Sequence, residues 1–278
     1  MKEKTTSSSV VVRILLFIWG IGIVFPITWI IVVSLKTNQE FFQSVWSLPE
    51  KLQWRNYAVA WDKMGIGRAL LNTIYYVGCS LIFGTFITTL NAYALTRIEF
   101  KGRKIILETI MISLFLPGIN ALVPQYVLMR ALRLTNSITA LIFLASFGEN
   151  VFSLFVLSGF MQTIPKELEE SAYIDGASIF KVFWNIIVPL AVPGIVTIAI
   201  FRFLGLYNDF LSQFIYLSDA NKYTIGVNMY HASQLMQYRA DWVSLCAGVI
   251  IASIPSVTIY LVFQKQIIEG ATLGSVKG

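Results

Sequence analysis

PKELEESAYIDGASIFKVFWNIIVP, residues 165–189, is the stretch on which the reading of this chain turns. Pro165 suits the first turn of a helix, where its missing N–H costs nothing. Glu167, Glu169 and Glu170 crowd that turn and favour the positive end of the helix dipole. Asp175-Gly176 then breaks the helix, because glycine accepts backbone angles closed to other residues. Ser178 can cap a second short helix through Ile179, Phe180, Val182, Phe183 and Trp184, apolar enough to lie against a membrane face. The segment 162–188 thus predicts two short helices with a bend. By spacing alone, such a hairpin serves equally as an interfacial anchor.

The rest of the chain explains why a membrane is at issue. Of 278 residues, 56% are hydrophobic and 13% charged, with a mean hydropathy of +0.70. A soluble domain has a surface that is roughly a quarter or more charged. This chain cannot cover itself that way, so its surface must face lipid. The net charge of +6 lies mainly between apolar runs, which fits membrane-flanking anchors rather than nucleic-acid binding. Cys79 and Cys246 fall inside apolar runs and read as small buried residues, not as a disulfide framework.

A spanning helix needs about 20 mostly apolar residues. On that measure the sequence predicts an all-α integral membrane protein in one transmembrane domain, 1–278, with six transmembrane helices near 12–35, 70–96, 105–129, 137–160, 189–217 and 242–263. The first run is longer than a secretory h-region and lacks a clear A-x-A site, so it is read as an uncleaved span. Pro117-Gly118 and Pro124 interrupt the third span, and Pro193 lies in the fifth. Lys and Arg show no clear majority on either side. The short turn 97–104, with Arg97, Lys101, Arg103 and Lys104, decides the orientation by the positive-inside rule. Both termini are then expected in the cytoplasm, and the segment 162–188 on the inner face.

Within the 165–189 stretch, Glu170, Ala172, Gly176, Ile186 and Pro189 resemble the EAA signature of ABC-importer permeases: E-A-A, three residues, G, nine residues, then I-x-L-P. Ser171 stands at the first alanine and Val188 at the leucine. The wording I-P-K-E-L-E-E-S-A-Y-I-D-G-A-S, with S-L-K-T-N at Ser34 to Asn38, Y-A-L-T-R at Tyr93 to Arg97 and Y-N-D-F-L at Tyr207 to Leu211, is similar to the carbohydrate importers of the maltose-system type.

That resemblance implies a type I ABC importer permease fold with a cytoplasmic coupling-helix pair, in the bacterial inner membrane. It implies ATPase-coupling residues Glu170, Ser171, Ala172, Asp175, Gly176 and Ala177, with Glu170 as anchoring charge, Gly176 as the permitted bend and Ala172 as a close-packing surface. It also implies the partners: a second permease subunit in a heterodimer, two copies of a cytoplasmic ATPase, and an external solute-binding protein that delivers a mono- or oligosaccharide. No G-x-x-x-x-G-K-[ST] occurs in the chain, so no cofactor is expected on it and Mg-ATP belongs to the partner ATPase.

Charges inside spans are costly and face a cavity or a partner. Glu149, Asn150, Tyr207, Asn208 and Asp209 are therefore candidates for a substrate pathway, with interhelix hydrogen bonding as the alternative. Glu108 and Arg202 also lie in spans, Glu108 close enough to the end to reach water. His231 stands alone, so no metal site is expected, and no catalytic pattern is present. An ABC permease for another solute, an ion-coupled transporter using Glu149 and Asp209, and a membrane enzyme are the competing readings.

Overall fold

The computed structural model describes residues 7–113, 115, 122–148 and 151–273, in which helices joined by turns and loops are the regular structure and no strand is found. In chain order the helices are α1 (Ser7–Ser34), α2 (Asn38–Gln43), α3 (Arg55–Lys63), α4 (Ile66–Arg97), α5 (Arg103–Ser113), α6 (Leu122–Ala131), α7 (Ile138–Phe147), α8 (Val151–Gln162), α9 (Glu167–Ile174), α10 (Ile179–Val182), a π-helical turn Phe183–Ile187, α11 (Val188–Asn208), α12 (Phe210–Tyr216), α13 (Ile225–Tyr238) and α14 (Trp242–Leu273).

Among the described residues, four stretches are long and apolar enough to cross a membrane: 11–34, 66–97, 179–208 and 242–268. The pair α7 and α8 forms a fifth if its 43° bend is counted within one span. The expected third span corresponds to α5 and α6, and Pro117 and Gly118 lie outside the described residues. Three boundaries differ from expectation. The fifth span starts at Ile179, ten residues early, because α10 runs on through the π turn into α11. Pro189 has no N–H to return to the preceding turn, and the Val188 N–H instead reaches Phe183 O. The backbone absorbs the proline by widening one turn rather than by stopping. The same span ends at Asn208, where Asp209 leaves helical angles (φ −73°, ψ 82°) and its carboxylate accepts from Ser212 N at 3.2 Å to start α12. Finally, the expected loop 218–241 contains α13.

The chain divides into two compact units, residues 1–67 with 228–254 and residues 68–227 with 255–278. In the first, Thr37 and Glu40 form a capping box on α2: Thr37 Oγ1 accepts from Glu40 N, and the Glu40 carboxylate accepts from Thr37 N. The N–H groups of Thr37 and Glu50 hold the Glu40 carboxyl below the usual carboxylate range. Lys36 is fully buried, and its Nζ donates to Ser44 O, Val45 O and Ser47 Oγ. Burial pushes its ammonium pKa down, opposed by the charge of Glu40. Asn38 Nδ2 donates to Asp241 Oδ1 at 3.0 Å, which ties α2 to the start of α14. Outward along α1, Phe17 is 70% and Trp19 69% exposed. Apolar side chains this exposed suit a lipid-facing helix.

The second unit holds the tighter core. Ala92, Tyr93 and Leu95 of α4 pack with Leu154, Leu157 and Met161 of α8 and with Val182, Phe183, Ile187, Ala191 and Ile198. Without hydrophobic drive in lipid, helices associate by close packing, and small residues permit it. Gly194 does so here: a Cβ added there would meet Phe160 at 2.8 Å. Cys79 and Cys246 are free thiols, each half-buried.

Candidate functional site

The 165–182 segment is built by local backbone chemistry. Glu169 N and Glu170 N donate to Lys166 O to open α9. The helix ends in a Schellman arrangement: Gly176 N donates to Tyr173 O at 3.0 Å and Ala177 N to Ala172 O at 2.9 Å. Gly176 sits at φ +79°, the left-handed angle this closure needs. Ser178 is extended at φ −73°, ψ 159°, and its Oγ accepts from Lys181 N at 3.4 Å to cap α10. The bend expected at Asp175-Gly176 and the Ser178 cap are both present. The second helix, however, is the opening of the fifth span and not a separate piece.

The segment has two faces. Glu170, Ser171, Asp175 and Gly176 are exposed, and around them Ile174 and Phe180 are 86% and 72% exposed. Ala172 and Ala177 are half-buried and pack on the core of the second unit. Ala172 is thus a close-packing residue, but toward this chain's own core. An exposed acid bordered by exposed apolar side chains has the makings of a contact surface.

Opposite lies a contact that the sequence reading missed. Glu169 Oε1 is 3.2 Å from Arg97 Nε, with side chains 8% and 4% exposed. Arg97 Nη2 also donates to Met161 O and to Ile164 O. Tyr93 OH donates to Glu169 Oε2 at 3.4 Å and lies 3.4 Å from Tyr173 OH. In the same turn Arg103 donates to Leu95 O and Thr96 O, closing the end of α4. Two of the four basic residues that set the expected orientation are therefore structural.

A second polar region lies at the end of α11. A cavity of about 570 Å³ is lined by Tyr76, Ser113, Phe152, Arg202 and Asp209 among others. Arg202 is buried and donates to Ala145 O. Its guanidinium lies against Gly84, where any Cβ would collide with it. Of the pathway candidates, Asp209 borders this cavity. Tyr207 stacks on Phe203 at 5.7 Å, and Asn208 Nδ2 donates to Leu204 O at 2.8 Å. Neither lines the cavity. Glu149 and Asn150 lie outside the described residues.

Known proteins resemble this one over nearly its whole length. A family model described as binding-protein-dependent transport system inner membrane component matches residues 80–269. The chain is 32% identical to the diacetylchitobiose uptake system permease protein NgcG of Streptomyces coelicolor, over 95% of this chain and 87% of that one. It is 29% identical to the melibiose/raffinose/stachyose import permease protein MelC of Bacillus subtilis, over the full length of both. The trehalose transport system permease protein SugB of Mycobacterium tuberculosis is 29% identical, over 91% of this chain and 92% of that one. Among solved structures, a chain of a bacterial ABC transporter involved in the import of the acidic polysaccharide alginate superposes with a TM-score of 0.83 at 21% identity, covering 95% of this chain and 99% of that one. That likeness shows the fold.

Proposed function

The chain belongs to the binding-protein-dependent transport system inner membrane component family, and from that premise we propose that it is the permease subunit of an ATP-driven ABC importer carrying a mono- or oligosaccharide. The observation that carries the reading is similarity over 91% or more of the chain to permeases named for diacetylchitobiose uptake, melibiose/raffinose/stachyose import and trehalose transport. The chain is a multi-pass membrane protein. Its six spans pair α5 with α6 and α7 with α8, which gives the type I arrangement. Both termini and α9 face the cytoplasm.

In this reading the exposed face of α9 and α10 docks on the ATPase. Glu170 meets a basic group there, Gly176 sets the bend, and Ser171, Asp175, Ile174 and Phe180 border the contact. Ala172 and Ala177 hold the segment to the permease core. A second permease completes the pathway, two ATPase copies bind Mg-ATP, and an external binding protein delivers the solute. Asp209, with Tyr207, Asn208, Glu149 and Asn150, contributes to a polar route through the membrane. A sugar is recognised by hydrogen-bonding side chains and aromatic faces, and Tyr76 and Phe152 supply the aromatic part beside Asp209.

The test is reconstitution. The chain, co-expressed with its partner subunits, is placed in proteoliposomes with ATP on the ATPase side and binding protein on the other. Uptake of labelled oligosaccharides that requires ATP hydrolysis is the expected result. Uptake driven by an ion gradient without ATP would overturn the reading.

A further inference from the structure

We propose that the buried Arg97–Glu169 ion pair is the joint that carries movement of α9 into α4, so that Arg97 and Glu169 are positioning residues for transport. The inference rests on the reading that α9 docks on an ATPase.

The geometry supports it at three points. First, one guanidinium gathers three elements. Arg97 is the last residue of α4, Met161 and Ile164 lie at the end of α8 and just beyond it, and Glu169 is in the first turn of α9. Tyr93, one turn earlier on α4, brings its hydroxyl to the other carboxylate oxygen and to Tyr173, one turn later on α9. Two successive turns of α4 thus grip two successive turns of α9. Tyr93 is itself packed on Phe183 at a centroid distance of 5.1 Å, beside the π turn.

Second, the chemistry fixes direction as well as attachment. Apolar packing tolerates sliding, and replacing a buried ion pair by apolar residues often costs no stability. The Nη2 bonds to Met161 O and Ile164 O set how the Arg97 guanidinium lies, and the Glu169 carboxylate sits against its Nε at 3.2 Å as an ion pair. Burial of both side chains means that salt screens the pair much less than it would at the surface.

Third, α4 leads somewhere. Tyr76, on the same helix, lines the polar cavity with Arg202 and Asp209, about 30 Å from Arg97 along a continuous α-helix. Between them, Gly84 lies against the Arg202 guanidinium. A shift imposed at the Arg97 end of a stiff helix reaches the cavity wall without loss into loops.

Two variants test the joint in the assembled complex in proteoliposomes: Glu169→Gln, which removes the charge and keeps the shape, and Tyr93→Phe, which removes only a hydroxyl. Three quantities are measured: ATPase bound to the complex, ATP hydrolysis rate, and solute taken up per ATP. Glu169→Gln is expected to leave binding and hydrolysis near wild type while uptake per ATP falls, the two variants lying within about a two- to thirtyfold range. Tyr93→Phe falls at the lower end, with no further loss when added to Glu169→Gln. Where Glu169→Gln does not assemble, Tyr93→Phe alone decides by the same ratio. An unchanged ratio in both variants, or uptake and hydrolysis falling in equal proportion, would overturn the joint. A wild-type complex without ATP-linked uptake would instead overturn the functional reading beneath it.

Discussion

Glu169 and Glu170 are neighbours on α9, yet Glu169 is buried against Arg97 while Glu170 is exposed among Ile174, Asp175 and Phe180. On a helix, adjacent residues point about 100° apart, so one turn can offer an acid to each of two surroundings. This segment is double-sided. Its inner face belongs to the chain's own core, through Glu169, Ala172, Ala177 and Val182. Its outer face is open to a partner. Substitutions on the inner face should disturb the fold or its internal linkage, and side-chain changes on the outer face away from the Gly176 bend should disturb association alone.

The largest expected effect is on the outer face. Glu170→Lys reverses the charge on the face proposed to dock on an ATPase, and binding should weaken by about thirtyfold or more, measured by titrating purified ATPase onto the permease. The thermal midpoint of the detergent-solubilised permease should stay put, since surface changes of this kind cost under about 0.5 kcal/mol. A fall in midpoint that accounts for the lost binding would break the distinction between faces.

Ile187→Ala comes next and should do the reverse. Ile187, the last residue of the π turn, is fully buried in the core. Its truncation should cost about 2 kcal/mol in packing and cavity terms, seen as a lowered thermal midpoint, while ATPase affinity per folded molecule is kept. Gly176→Val forces a branched side chain into the left-handed region at φ +79°. It should cost about 1–2 kcal/mol and, because it moves the bend, also reduce ATP-linked uptake. Ile174→Ala should be the smallest: Ile174 is 86% exposed, so stability should stay within about 0.5 kcal/mol while ATPase binding weakens measurably. If Ile174→Ala lowers the midpoint as much as Ile187→Ala, the outer face is not free.

Much of this was legible in the order of residues. Asp175-Gly176 marked the bend and Ser178 the cap because both are decided by a few neighbouring backbone angles. Long apolar runs marked most of the spans for the same local reason. The start of the fifth span was not legible, because Gly176 and Pro189 bracket residues 177–188 as though they were a separate helix. A π turn at Phe183–Ile187 joins them, and that is a choice made by packing. Arg97 read as one of a cluster of loop cations, and Glu169 as one of three acids favouring a helix dipole. Their pairing spans 72 positions and depends on where α4 ends relative to α9. The Arg202–Gly84 contact was hidden for the same reason.

The most direct measurement is a cysteine scan of residues 169–180, with Cys79 and Cys246 replaced, followed by cross-linking to the ATPase in the assembled complex. Cysteines at 170, 171, 174, 175 and 180 should form adducts with the ATPase, and those at 169, 172 and 177 should not. Adducts from the buried positions alone, or none anywhere along the segment in a complex that hydrolyses ATP and takes up solute, would contradict the account.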